Sequence, residues 1–124
     1  MKKILFIFIL LFPLKSYSQI LYCVEDASVG FKDSLKITKF NVERFTVEID
    51  LQNKKIYSEE LIFPKELKNK THCFYDSRDF HLTCSNIYYQ VFVINLKSYQ
   101  FIRAGVAAGL NDSNYISKGK CEKF

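Results

Sequence analysis

Between Arg44 and Leu51 the chain alternates without a break. Phe45, Val47, Ile49 and Leu51 are apolar, and Thr46, Glu48 and Asp50 between them are polar. A period of two sends successive side chains to opposite faces of an extended strand, so this segment buries one face and shows the other to water. A helix, with side chains recurring every 3.6 residues, has no use for that pattern. A turn at Gln52-Asn53-Lys54 follows, and Lys55-Ile56-Tyr57-Ser58 returns as a partner strand. Tyr88–Ile94, rich in β-branched and aromatic residues, predicts another strand, which turns near Lys97-Ser98 and comes back as Gln100–Ala104. Between these hairpins, Thr71–Tyr75 opposite Phe80–Ser85 predicts a third.

Further strands are expected at Ile20–Val24 and Leu35–Phe40, and a last one through Tyr115-Ile116-Ser117 into Cys121. Ser58–Lys68 does not choose between helix and loop, because Ser58-Glu59-Glu60 with Glu66, Leu67 and Lys68 could open a short helix but Pro64 interrupts it; Ala104–Leu110 reads as one helical turn or a glycine-rich bend. The expected fold is all-β: an antiparallel meander of seven or eight short strands forming a small barrel or sandwich. Two hairpin turns resemble each other, with Ile, an acid or its amide, and Leu at the entrance. Ile49-Asp50-Leu51 and Ile94-Asn95-Leu96 stand at corresponding entrances 45 residues apart. Two copies do not make a repeat protein, and similar turns need similar residues.

Ahead of this pattern stands a different segment. Lys2 and Lys3 precede the mainly apolar run Ile4–Leu14, and Ser16-Tyr17-Ser18 puts small residues where a signal peptidase needs them. The run is well short of the roughly 20 residues that cross a bilayer. Residues 1–18 therefore predict a signal peptide, and residues 19–124 a single exported domain without a membrane span. Bulky Tyr22 before Cys23 disfavours lipid attachment at that cysteine. Loss of Lys2, Lys3 and Lys15 leaves 15 basic against 13 acidic residues, a net charge of +2. A balance so close to neutral gives no support for nucleic-acid binding, which needs basic residues gathered on one face.

Four cysteines remain after processing: Cys23, Cys73, Cys84 and Cys121. In a small exported domain an even number predicts two disulfides. Sequence alone does not choose among the three pairings. Spacing favours Cys73 with Cys84, across the turn Asp76-Ser77-Arg78-Asp79, and Cys23 with Cys121, tying the ends together. His72-Cys73 and His81 with Cys84 offer zinc donors as an alternative, but lack the paired spacing of a zinc motif. No metal and no cofactor is expected.

No nucleophile elbow, metalloprotease helix, P-loop or dinucleotide fingerprint occurs in the chain. Glu25-Asp26 and Glu59-Glu60 are neighbours in sequence, so on strands they point to opposite faces, and each of them is expected at the solvated surface. Asn111-Asp112-Ser113-Asn114 reads as a turn and lacks the acid count of a calcium loop. No catalytic residue is assigned. Nine Phe and seven Tyr follow the signal, and most must fill the core. Tyr suits a surface that is apolar with a polar tip, so Tyr88, Tyr89, Tyr99 and Tyr115 are the candidate binding residues, with Arg78 as an exposed contact in its turn.

Tyr22-Cys23-Val24-Glu25-Asp26 with Gly30-Phe31, then Arg44-Phe45-Thr46-Val47, then Gly119-Lys120-Cys121-Glu122-Lys123-Phe124 resembles a group of small exported proteins from AT-rich marine bacteria. The resemblance covers nearly the whole chain after the signal and implies export, with no function to carry over. In size, export, β content and a disulfide joining early and late strands, the chain is also similar to MliC-type periplasmic lysozyme inhibitors, without their inhibitory loop motif. The function expected is a non-enzymatic binding module, periplasmic or secreted, recognising a protein or envelope component with one face or end of the β scaffold. A structural envelope protein without a discrete ligand is the alternative, and a small periplasmic enzyme stands third.

Overall fold

A computed structural model describes residues 18–31, 36–59, 63, 70–106 and 114–124. The alternation resolves there into nine strands: β1 (Ser18–Phe31), β2 (Ile37–Lys39), β3 (Arg44–Asp50), β4 (Lys55–Tyr57), β5 (His72–Asp76), β6 (His81–Ser85), β7 (Gln90–Asn95), β8 (Gln100–Gly105) and β9 (Asn114–Lys123). Every pairing is antiparallel. β1 is long enough to take β3 along its first half, from Ser18 opposite Asp50, and β2 along its second, up to Phe31 opposite Ile37. β2 and β3 thus share one edge of β1 and occupy one strand position. Along the sheet the order is β4-β3-β1-β9-β8-β7-β6-β5, a meander whose last strand pairs with its first. The result is a nearly closed eight-position barrel, the all-β architecture expected from the sequence.

β4 and β5 end the sheet, and the turn after β3 reaches across to the far edge, where Lys54 Nζ stands 4.6 Å from the centre of the Tyr75 ring. Inside the barrel, Leu21, Phe45, Val47, Ile49, Ile56, Leu82, Phe92, Ile94 and Phe101 are buried. Phe45, Phe92 and Phe101 meet with ring centres 5.2–6.1 Å apart, within the range where aromatic pairs attract. Both disulfides, Cys23–Cys121 and Cys73–Cys84, form between residues directly opposite each other on paired strands.

Several boundaries differ from expectation. Tyr88 and Tyr89 lie outside β7, in the turn between β6 and β7. The Asn86 side chain draws the chain round there, its Oδ1 accepting from the Tyr88 and Gln90 amides. β1 runs far past Val24 because β9 pairs along it as far as Asn114, through a bulge between Glu25 and Ala27. Ser58 bridges to Phe63, with no helix at either residue. The rest of the Ser58–Lys68 segment beyond Glu59, residues 107–110, Asn111-Asp112-Ser113 and the segment expected to be an export signal, up to Tyr17, lie outside the described residues.

Candidate interaction surface

Connections between successive strands fall at two ends of the barrel. The turns β3–β4, β5–β6 and β7–β8 share one end and one construction. Asp50 Oδ1 accepts from the Gln52 and Asn53 amides, Asp76 Oδ1 from the Arg78 amide, and Asn95 Oδ1 from the Lys97 and Ser98 amides. Four residues after each of these side chains the backbone turns left-handed, at Lys54, Phe80 and Tyr99, with φ of 53°, 59° and 60°. The likeness of the Asp50 and Asn95 turns is therefore a likeness of hydrogen bonding. The cysteine hairpin has the same construction, and its signal, Asp76 four residues before an aromatic, was already present in the sequence.

Arg78 and Tyr99 belong to this tight-turn end. Arg78 lies exposed on its turn with an ion pair to Asp76. Its side-chain bond is the main reason that the Asp76 carboxyl titrates below the usual range. Tyr99 packs against the core at the barrel mouth, within 3.4 Å of Gln19 Nε2 and with Lys123 Nζ 5.5 Å from its ring centre. Tyr88, Tyr89 and Tyr115 stand at the other end, so the five candidate residues do not form one site.

Near that far end the interior turns polar. Arg103 projects inward from β8, with its guanidinium carbon 5.1 Å from the centre of the Phe45 ring and 5.2 Å from that of Tyr115. It donates to both oxygens of Glu25, at 2.9 and 3.2 Å, to Glu43 and to Ser117. Glu25 also accepts the Glu43 amide at 2.8 Å, and its own amide donates to the Glu43 carbonyl. Burial pushes the Glu25 carboxyl up, but the bonds from Arg103, Ser117 and Glu43 outweigh it and hold the pKa below the usual value. Burial likewise raises Tyr115, whose hydroxyl donates to Gln90 Oε1 at 2.6 Å. A cavity of about 220 Å³ opens beside Arg103, Glu43 and Tyr115. Among the described residues no buried side-chain nitrogen or oxygen lacks a hydrogen-bond partner. The ionic cluster ties β1, β8, β9 and the approach to β3 to one another, and its groups are engaged in doing so.

Unmatched surface lies outside the barrel wall. On β8, β9 and β1 the outward residues Ile102, Ala104, Ile116, Ala27 and Val29 adjoin one another, since Ile116 is opposite both Ala104 and Val29. They line two adjoining grooves of about 220 and 350 Å³. Past them, at the far end, Phe31, Ile37 and Val106 continue the apolar surface, and the Val106 amide donates to the Tyr89 carbonyl, which joins the exposed Tyr88-Tyr89 turn to it. Ile37 is 78% exposed, Tyr89 66% and Val106 61%. Sequence reasoning found the two tyrosines but missed the aliphatic surface. Its residues lie on four strands and at the start of the β8–β9 connection, and the outward direction of Ala27, Val29 and Phe31 depends on the β1 bulge.

Among the described residues no group of three or more His, Cys, Asp or Glu is placed to hold a metal ion, and no helix is long and apolar enough to cross a membrane. The two disulfides fit an oxidising, extracytoplasmic compartment. Comparison with protein-family models, with curated proteins and with solved structures finds no match to this chain.

Proposed function

We propose that this chain is an exported, non-enzymatic binding module, periplasmic or secreted, which recognises a protein or envelope component through the outer face of β1, β9 and β8 and the adjoining far end. The carrying observation is the continuous exposed apolar surface from Ile102 and Ile116 to Phe31, Ile37 and Val106. Apolar side chains gathered in this way on a small domain mark interaction sites, whereas scattered ones do not. The interior carboxylates and Arg103 satisfy one another, which leaves them suited to holding the fold.

Site-specific photo-crosslinking in exporting cells tests this. A crosslinking side chain at the position of Ile37, Ile102 or Ile116 is expected to give adducts, and one at Arg78 or Ser98 on the tight-turn end is not. Equal labelling at both sets, or none at either, would overturn the reading.

A further inference from the structure

We propose that the cavity beside Arg103 binds a single sugar ring through its hydroxyl groups, a site that goes beyond the binding-module reading and stands apart from the outer apolar face. Its position follows from the sheet. Along one edge of β1, pairing with β3 stops at Val24 and pairing with β2 begins at Val29. Residues 40–43 cross that interval. The Phe40 amide donates to the Ser28 carbonyl, while Glu43 is held to Glu25 through both its amide and its carbonyl. The interruption opens the barrel wall beside Arg103. The cavity of about 220 Å³ found there is lined by Ser28, Phe40, Asn41, Glu43, Arg103 and Tyr115.

The donors and acceptors at this window select the ligand. Nε and Nη2 of Arg103 carry its bonds to Glu25, Glu43 and Ser117. Nη1 has no partner among the described residues, where no side-chain nitrogen or oxygen sealed from solvent lacks one. The N–H groups of Nη1 therefore face open space, although the Arg103 side chain is only 10% exposed. Beside that donor stands an acceptor, the Glu43 carboxylate, 63% exposed. The Asn41 side chain, also on the cavity, makes no hydrogen bond among the described residues. Two carboxylates around one guanidinium repel an anion, and a cation would meet the guanidinium. A hydroxyl both donates and accepts. Two neighbouring hydroxyls can thus accept from Nη1 and donate to Glu43 with no change of charge. The guanidinium is fixed in advance between the Phe45 and Tyr115 rings, so binding need not order it. Phe40 and Tyr115 add apolar lining for the C–H face of a ring. The volume lies below the roughly 300–1,000 Å³ of drug-sized ligand pockets, which limits the occupant to one ring.

Amide NMR of the isotope-labelled, oxidised protein tests the proposal by titration with the methyl glycosides of glucose, galactose, mannose and N-acetylglucosamine. Acetate, inorganic phosphate and methylammonium serve as ionic probes. Saturable binding of at least one glycoside is expected, with the largest shifts at Ser28, Asn41, Glu43 and Arg103. Glu43→Gln should weaken it about tenfold through loss of a charged acceptor. Asn41→Ala leaves the ionic cluster untouched and should weaken binding as well, which keeps the test decisive if Glu43→Gln loosens the fold. Lys97→Ala at the tight-turn end should bind as the parent does. Binding of an ionic probe at these residues without any glycoside overturns the proposal. So do shifts centred elsewhere, an affinity unchanged in Asn41→Ala, or no binding at all. Crosslinks at Ile37, Ile102 or Ile116 report on the outer face alone, so loss of the sugar site leaves the module reading standing, and absence of crosslinks leaves the sugar site standing.

Discussion

Arg103 reaches Glu25 across the barrel interior with its guanidinium between two aromatic rings. A buried pair of this kind stabilises little over well-packed apolar residues, but removing one partner strands the other. Arg103→Met should therefore lower unfolding free energy by about 3–5 kcal/mol, read from urea midpoints, and adding Glu25→Leu should recover most of that loss. The same site gives a pH dependence. The folded pKa of Glu25 lies below its unfolded value, so its stabilisation is complete above the unfolded pKa of about 4.3 and is lost as pH falls through the folded value. Between pH 7 and pH 3 the urea midpoint should fall less in Glu25→Gln than in the parent, because the glutamine has no proton to take up. The sequence did not disclose this cluster. Glu25, Glu43 and Arg103 are up to 78 residues apart, and Glu25 was read as surface because acids usually are.

At the scale of elements, the strands were legible wherever alternation ran clean, as in β3 and in the return strands β6 and β8. Turns were legible where Asp or Asn stands four residues before the left-handed position, as at Asp50 and Asn95. Tyr88 and Tyr89 misled because aromatic residues favour strands, while the Asn86 side chain before them fixes a turn. Both disulfides join facing strands, yet they close very different lengths of chain, 98 and 11 residues apart in sequence. In the chain-entropy model a loop of about 100 residues is worth roughly 4.7 kcal/mol and one of about 15 residues roughly 3. Replacing Cys23 and Cys121 together by serine should thus lower the denaturation midpoint more than replacing Cys73 and Cys84. An equal loss would place the stabilisation in local strand contacts.

Across the whole molecule, the pairing of β9 with β1 closes the meander and assembles the outer face. Ile102 and Ile116 point to solvent, so Ile102→Glu with Ile116→Glu should shift unfolding free energy by no more than about 0.5 kcal/mol per substitution. If the module reading holds, the same pair should remove the crosslinks at Ile37. A large stability loss would instead assign these residues to the fold. The sequence by itself determined the all-β class and the preferred cysteine pairs, because period-two alternation and the spacing around one turn are local properties of the chain. Only the tertiary structure decided which aromatic residues share an end, where Arg103 finds its carboxylates and which apolar side chains remain outside. Those outcomes depend on strand register and on the bulge after Glu25, where one additional residue reverses the facing of every side chain that follows.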